Sequence, residues 1–133
     1  MKLNIITEES QKIENYNNVT IQNNQVSLID ISDGECEEVL ISNANLLATQ
    51  SLFAVIKKVG IGGSLKINGV DLNMMCRQTI NQMVKDSEVS SIIENSKCIV
   101  PVKIIEQILT SNGFDVETTT LQGIQYRICA TRK

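Results

Sequence analysis

The chain of 133 residues has no histidine and no tryptophan, a single proline, and aromatic residues at only 3% of the total. Without histidine the common general base is missing, and so are the serine and cysteine triads built around it. The four cysteines, Cys36, Cys76, Cys98 and Cys129, are widely spaced and form no Cys-x-x-Cys pair. With no histidine to complete a set, a zinc site is not expected, and reduced thiols packed in the core are the expectation. The scarcity of aromatics and a net charge of −3 leave neither stacking platforms nor a basic stripe, so nucleic acid is not an expected partner. No N-terminal apolar segment or long apolar run is present, so neither export nor a membrane partner is expected. Most telling, no glycine precedes Gly34.

What the chain does contain is aliphatic. Hydrophobic residues make up 42% of it, 19 of them isoleucine, and asparagine occurs 13 times. The length suits one domain over residues 1–133. The isoleucine and asparagine bias suggests an A+T-rich coding genome.

Residues 2–6 read as a strand, and TEES at 7–10 as a helical turn at most. Residues 19–22 and 25–30 both have strand composition. Only Asn23 and Asn24 separate them, and asparagine tolerates the positive φ of a tight hairpin, so a local hairpin is expected. A shorter first strand with the chain running on to another edge position is the alternative. Residues 31–38 form an acidic loop, and 38–42 a buried strand. A helix capped by Asn43 or Asn45 is expected through Val59, followed by a Gly62-Gly63 turn and a strand at 64–70. Asp71 should cap a helix to about Lys85 with Leu72, Met75, Cys76, Met83 and Val84 inward. Residues 86–100 are mixed, with a short helix in SEVSSIIEN. Pro101 opens a helix over 102–111. Residues 115–121 and 124–131 flank Gln122-Gly123 as a hairpin. Alternating strands and helices argue for an α/β fold: a Rossmann-like, mostly parallel sheet with helices and a C-terminal antiparallel hairpin.

Three stretches together resemble the class I S-adenosylmethionine-dependent methyltransferases. LFAVIKKVGIGGSLKINGVDL at 52–72 is similar to the family's helix, "vLKPGG" turn, strand and "PDL". LTSNGFDVETTTLQGIQYRICATRK is similar to its closing helix, "GF" and antiparallel pair. MKLNI with NVTI and LIDIS resembles its opening, "MKLNIG…NVDI…DI". The resemblance implies a shortened methyltransferase-like sheet. It also implies cofactor contacts from the first loop and from acids ending the second and third strands. Here the first loop is Ile6-Thr7-Glu8-Glu9-Ser10, whose side chains and two carboxylates oppose the cofactor. Thr20 stands where the ribose-binding acid would be, and a hydroxyl cannot accept from two hydroxyls as a carboxylate does. Asp30 stands where an acid would read the adenine amino group; it also suits a turn. Asn43-Ala44-Asn45-Leu46-Leu47 replaces the family's "LEH", and Asp71 matches the "PDL" acid while being explained by helix capping.

The acidic loop from Asp30 to Glu38 lacks the spacing of a calcium loop. Met74, Met75 and Met83 suit core filling. No catalytic residues, no metal and no bound cofactor are therefore expected. The implied role is a structural or protein-binding component, in the cytoplasm or in a bacteriophage virion or assembly, with other protein subunits as partners. Two alternatives are kept: an S-adenosylmethionine-dependent methyltransferase with a divergent loop, in which Thr20 and Asp30 would touch the cofactor, and a non-catalytic subunit of a methyltransferase complex.

Overall fold

The computed structural model describes residues 1–133. In chain order the elements are β1 (Lys2–Ile6), β2 (Asn17–Thr20), β3 (Cys36–Ile41), α1 (Thr49–Ile56), β4 (Val59–Val70), α2 (Leu72–Ile80), α3 (Asp86–Asn95), α4 (Val102–Ser111), β5 (Phe114–Gln122) and β6 (Gln125–Arg132). The strands make one sheet in the order β2-β1-β3-β4-β6-β5. The first four are mutually parallel, and β6 runs antiparallel to both β4 and β5. The expected Rossmann-like sheet with a terminal antiparallel hairpin is present. Residues 2–6, 38–42 and 64–70 lie at its centre, with Ile67 fully buried.

One face of this sheet is apolar. Leu3, Val39, Leu65 and Ala130 form one transverse row, and Ile5, Ile41, Ile67 and Ile128 the next. Leu52, Val55 and Ile56 of α1 and Ile105 and Leu109 of α4 pack on them, joined by Leu28 and Ile31 from the loop before β3. The other face carries no α-helix. The right-handed rule for parallel crossovers sends β1-to-β2 to the opposite side from the later ones, and residues 7–16 hold only a 3-10 turn at Glu9–Gln11. That face is correspondingly polar. Its central row runs Asn18, Asn4, Leu40, Lys66, Cys129, Thr118.

Several local expectations need correction. The Asn23-Asn24 turn forms, with φ of 52° and 61° and paired bonds between Gln22 and Gln25. No strand follows it, because Leu28 and Ile31 turn into the core while Ile29 is 91% exposed. The strand before it is Asn17–Thr20, parallel to β1 at the edge of the sheet, so neither a two-strand hairpin nor a second strand at another edge position forms. The helix expected from Asn43 or Asn45 starts only at Thr49, with Ala48 at its N-cap. The backbone at Asn45 is instead committed to Lys97 and Cys98, whose amides donate to its carbonyl. α2 stops at Ile80, because Gln82 takes a left-handed φ of 58°. Met83 is consequently 74% exposed, not inward. Of the cysteines only Cys36 is buried, and all four are free thiols.

The Gly62-Gly63 turn lies inside β4. Cys36 pairs with Val59 and Glu38 with Ser64, so Gly60 to Gly63 bulge outward opposite a single residue. Gly62 sits at φ 80°, which glycine adopts at little cost. The last turn is one residue later than expected: Gln122 pairs with Gln125, and Gly123 is the first central residue at φ 61°.

Candidate functional site

In an open parallel sheet, ligands settle beyond the carboxyl ends of strands where the chain reverses its direction of winding. Here that point lies between β1 and β3, since the chain steps from β1 outward to β2 and then back across to β3. The residues at its mouth are Thr7 after β1 and Ser42 after β3. The Ser42 amide donates to the Ile5 carbonyl at 3.1 Å.

Gln11 occupies this mouth. Its Oε1 accepts from the Thr7 amide at 2.8 Å, the Thr7 hydroxyl at 3.0 Å and the Glu8 amide at 3.2 Å. The Ser42 hydroxyl also donates to it at 3.4 Å. The 3-10 turn at Glu9–Gln11 swings the side chain back over the strand end. Backbone amides that a glycine loop would offer to a ligand are thus satisfied within the chain. Glu8, Glu9 and Ser10 are exposed, and Glu9 pairs with Lys12 at 2.6 Å. Gln11, and neither carboxylate of the loop, is the group that accepts from these amides. A capping-box spacing, Glu8 to Gln11, was the available sequence signal.

Thr20 ends β2 and lines a surface hollow of about 690 Å³ with Asn18, Val19, Gln22, Leu28 and Ile29. Asp30 is exposed in the loop beyond, outside that hollow's lining. Asp71 is 2% exposed. One carboxylate oxygen accepts from the Met74 amide at 2.8 Å and the other from the Val102 amide at 2.7 Å. Asp71 therefore caps α2 and also the start of α4, a structural task that uses both oxygens. Asn45 is buried in a 3-10 turn, Ala44–Leu46, beyond β3. Its amide nitrogen donates to the Ser96 hydroxyl at 2.9 Å, while its Oδ1 has no partner.

The helix-free face holds a cleft of about 400 Å³. Tyr16 donates to Glu38 across it at 2.8 Å, and that bond, then burial, raises the phenol above its ordinary value. At the other end of the strands, Lys58 bonds Asp33 at 2.8 Å and holds its carboxyl below the usual range. No three histidine, cysteine or acidic side chains converge as a metal site would require. No helix is long and apolar enough to cross a membrane.

No family model matches the chain, and no curated protein matches it in sequence. Solved structures do match it. A SAM-dependent methyltransferase from Archaeoglobus fulgidus superposes with a TM-score of 0.57 at 14% identity, over 96% of this chain and 74% of that one. The fold is that of the class I S-adenosylmethionine-dependent methyltransferases. A protein from Pyrococcus horikoshii gives the same TM-score at 11% identity, over 99% of this chain and 72% of its own. Within this chain the sheet ends in an antiparallel hairpin, and its first two connections contain no α-helix.

Proposed function

We propose that this methyltransferase-like domain is non-catalytic and serves as a structural, protein-binding component of a larger assembly. The observation that carries the reading is the closure of the loop after β1 by Gln11, which takes up the Thr7 and Glu8 amides. The residues present do not fit S-adenosylmethionine. Its carboxylate would need free donors at this loop, and its ribose an acid where Thr20 stands. Thr20 and Asp30 would be its contacts only if the loop opened.

A fold without its cofactor site is most simply kept for its surface. The surface that suits a partner is the β2 edge with residues 21–31. β2 has a neighbour on one side only, and an unpaired edge strand readily accepts another chain. The exposed Ile29 beside the Thr20 hollow adds an apolar anchor. The compact, isoleucine- and asparagine-rich chain suits a bacteriophage virion or assembly. Hydrogen exchange on the complex purified from the native source tests this. Protection of residues 17–31 is the expected result. A chain that stays monomeric there, with methyl-transfer activity, would overturn it.

A further inference from the structure

We infer that the cleft on the helix-free face binds a small molecule carrying an anionic group at one end and a hydroxyl or ammonium donor at the other. The cleft runs along the strands and reaches their carboxyl ends at Gln11 and Ser42, but the side chains that would hold this ligand, Lys66, Arg127, Asn4 and Glu38, are not those that close the crevice.

The anion subsite is built by Lys66 and Arg127. Both line the cleft. Lys66 faces Cys129 across the β4–β6 pair, and Arg127 lies two residues further along β6, so the two cations are diagonal neighbours on one face. The chain's three ion pairs are Lys12–Glu9, Lys58–Asp33 and Lys133–Asp115, and neither cleft cation belongs to one. Arg127 donates through Nε to Asn68 Oδ1 at 3.0 Å, which holds the guanidinium in place with its terminal nitrogens unused by the protein. A guanidinium fixed in this way matches a carboxylate or phosphate in geometry as well as charge.

The donor-accepting end is built by Asn4 and Glu38. Asn4 is 3% exposed and lines the same cleft. Its Nδ2 donates to the Gln11 carbonyl at 3.0 Å and to Asn18 Oδ1 at 2.9 Å. A backbone carbonyl only accepts, so the amide cannot be flipped, and Oδ1 is the atom left over. No protein donor bonds that oxygen, and since Asn45 Oδ1 is the one buried side-chain nitrogen or oxygen without a partner, the Asn4 oxygen is open to solvent and to a ligand donor. Glu38 accepts the Tyr16 hydroxyl through one oxygen, and its second oxygen is free for a ligand.

A protein surface suits this face less well. It would desolvate two unpaired cations over a floor with little apolar area to offset the loss. A small polar ligand satisfies the same groups while leaving the rim wet.

The test is a titration of the full chain, followed residue by residue by nuclear magnetic resonance. O-phosphoethanolamine supplies anion and ammonium, inorganic phosphate the anion alone, and ethanolamine the donor alone. Saturable shifts from O-phosphoethanolamine are expected at the Asn4 side-chain amide and at Lys66 and Arg127. Its affinity should exceed that of inorganic phosphate or ethanolamine by about tenfold. Lys66→Met and Arg127→Gln alter exposed side chains and should each weaken binding about tenfold without lowering the melting temperature. The inference is overturned by an absence of saturable shifts, by shifts that persist unchanged when Lys66→Met and Arg127→Gln are combined, or by inorganic phosphate binding as tightly as O-phosphoethanolamine.

Discussion

The carboxylate of Asp71 accepts a hydrogen bond from the Val102 amide at 2.7 Å, joining the end of β4 to the start of α4 across thirty-one residues. Its other oxygen caps α2 through Met74. Asp71→Ala therefore releases two helix starts at once. A loss of about 2–3 kcal/mol in urea unfolding is expected, with faster hydrogen exchange in the first turns of α2 and α4. Unchanged exchange in α4 would remove Asp71 from its bridging role.

Tyr126 packs across the sheet on Gly69. A Cβ at position 69 would sit 2.5 Å from the phenol oxygen. Gly69→Ala should cost about 1–3 kcal/mol by overpacking. Combined with Tyr126→Leu, which frees that space, the cost of adding the methyl should shrink. Additive losses in the double variant would show that the two residues do not compete for space.

Burial is also the main reason the Tyr126 phenol is shifted far up from its ordinary 10.0, with Cys98 and Asp71 adding to it. Burial raises the Cys36 thiol from 9.0 in the same sense. A raised folded value means the native state holds its proton longer than the unfolded chain does. Both contributions are fully present at neutral pH. They decline once pH passes the unfolded values, near 9.0 for Cys36 and 10.0 for Tyr126. Urea midpoints should fall steadily above that range. Tyr126→Phe should flatten the fall, and an equally steep fall in that variant would place the alkaline sensitivity elsewhere.

The centre of the fold was legible in the sequence and the segment from 17 to 31 was not. The strand at 64–70 alternates because its inward residues Leu65 and Ile67 face the helices while Lys66 and Asn68 face the cleft. Asp71, Pro101 and Gly123 mark chain direction through local chemistry, and each was readable from its neighbours. The segment from 17 to 31 depends on distant contacts. Val19 packs against a core built by β1, β3 and β4, and Leu28 and Ile31 abandon strand alternation to reach it. The site was read in part. The missing glycines were visible, and the local Glu8-to-Gln11 spacing was a signal for the residue that takes up the Thr7 and Glu8 amides. Its contact with Ser42, thirty-one residues away, leaves no local pattern.

Gln11→Ala should destabilise the fold by about 1–3 kcal/mol, since it strands the Thr7 and Glu8 amides at the end of β1. Gln11→Glu keeps the acceptor and should recover most of that loss. Failure of the glutamate to rescue would mean that packing, not hydrogen bonding, explains the position.

On the function proposed above, Gln11 keeps the crevice beyond β1 and β3 closed to the cofactor of the related fold. Thermal unfolding of the purified chain in saturating S-adenosylhomocysteine tests it most directly. A ligand at 100 times its dissociation constant would add about 2.7 kcal/mol of stability. The expected result is an unchanged melting temperature. A clear, concentration-dependent rise would contradict the account.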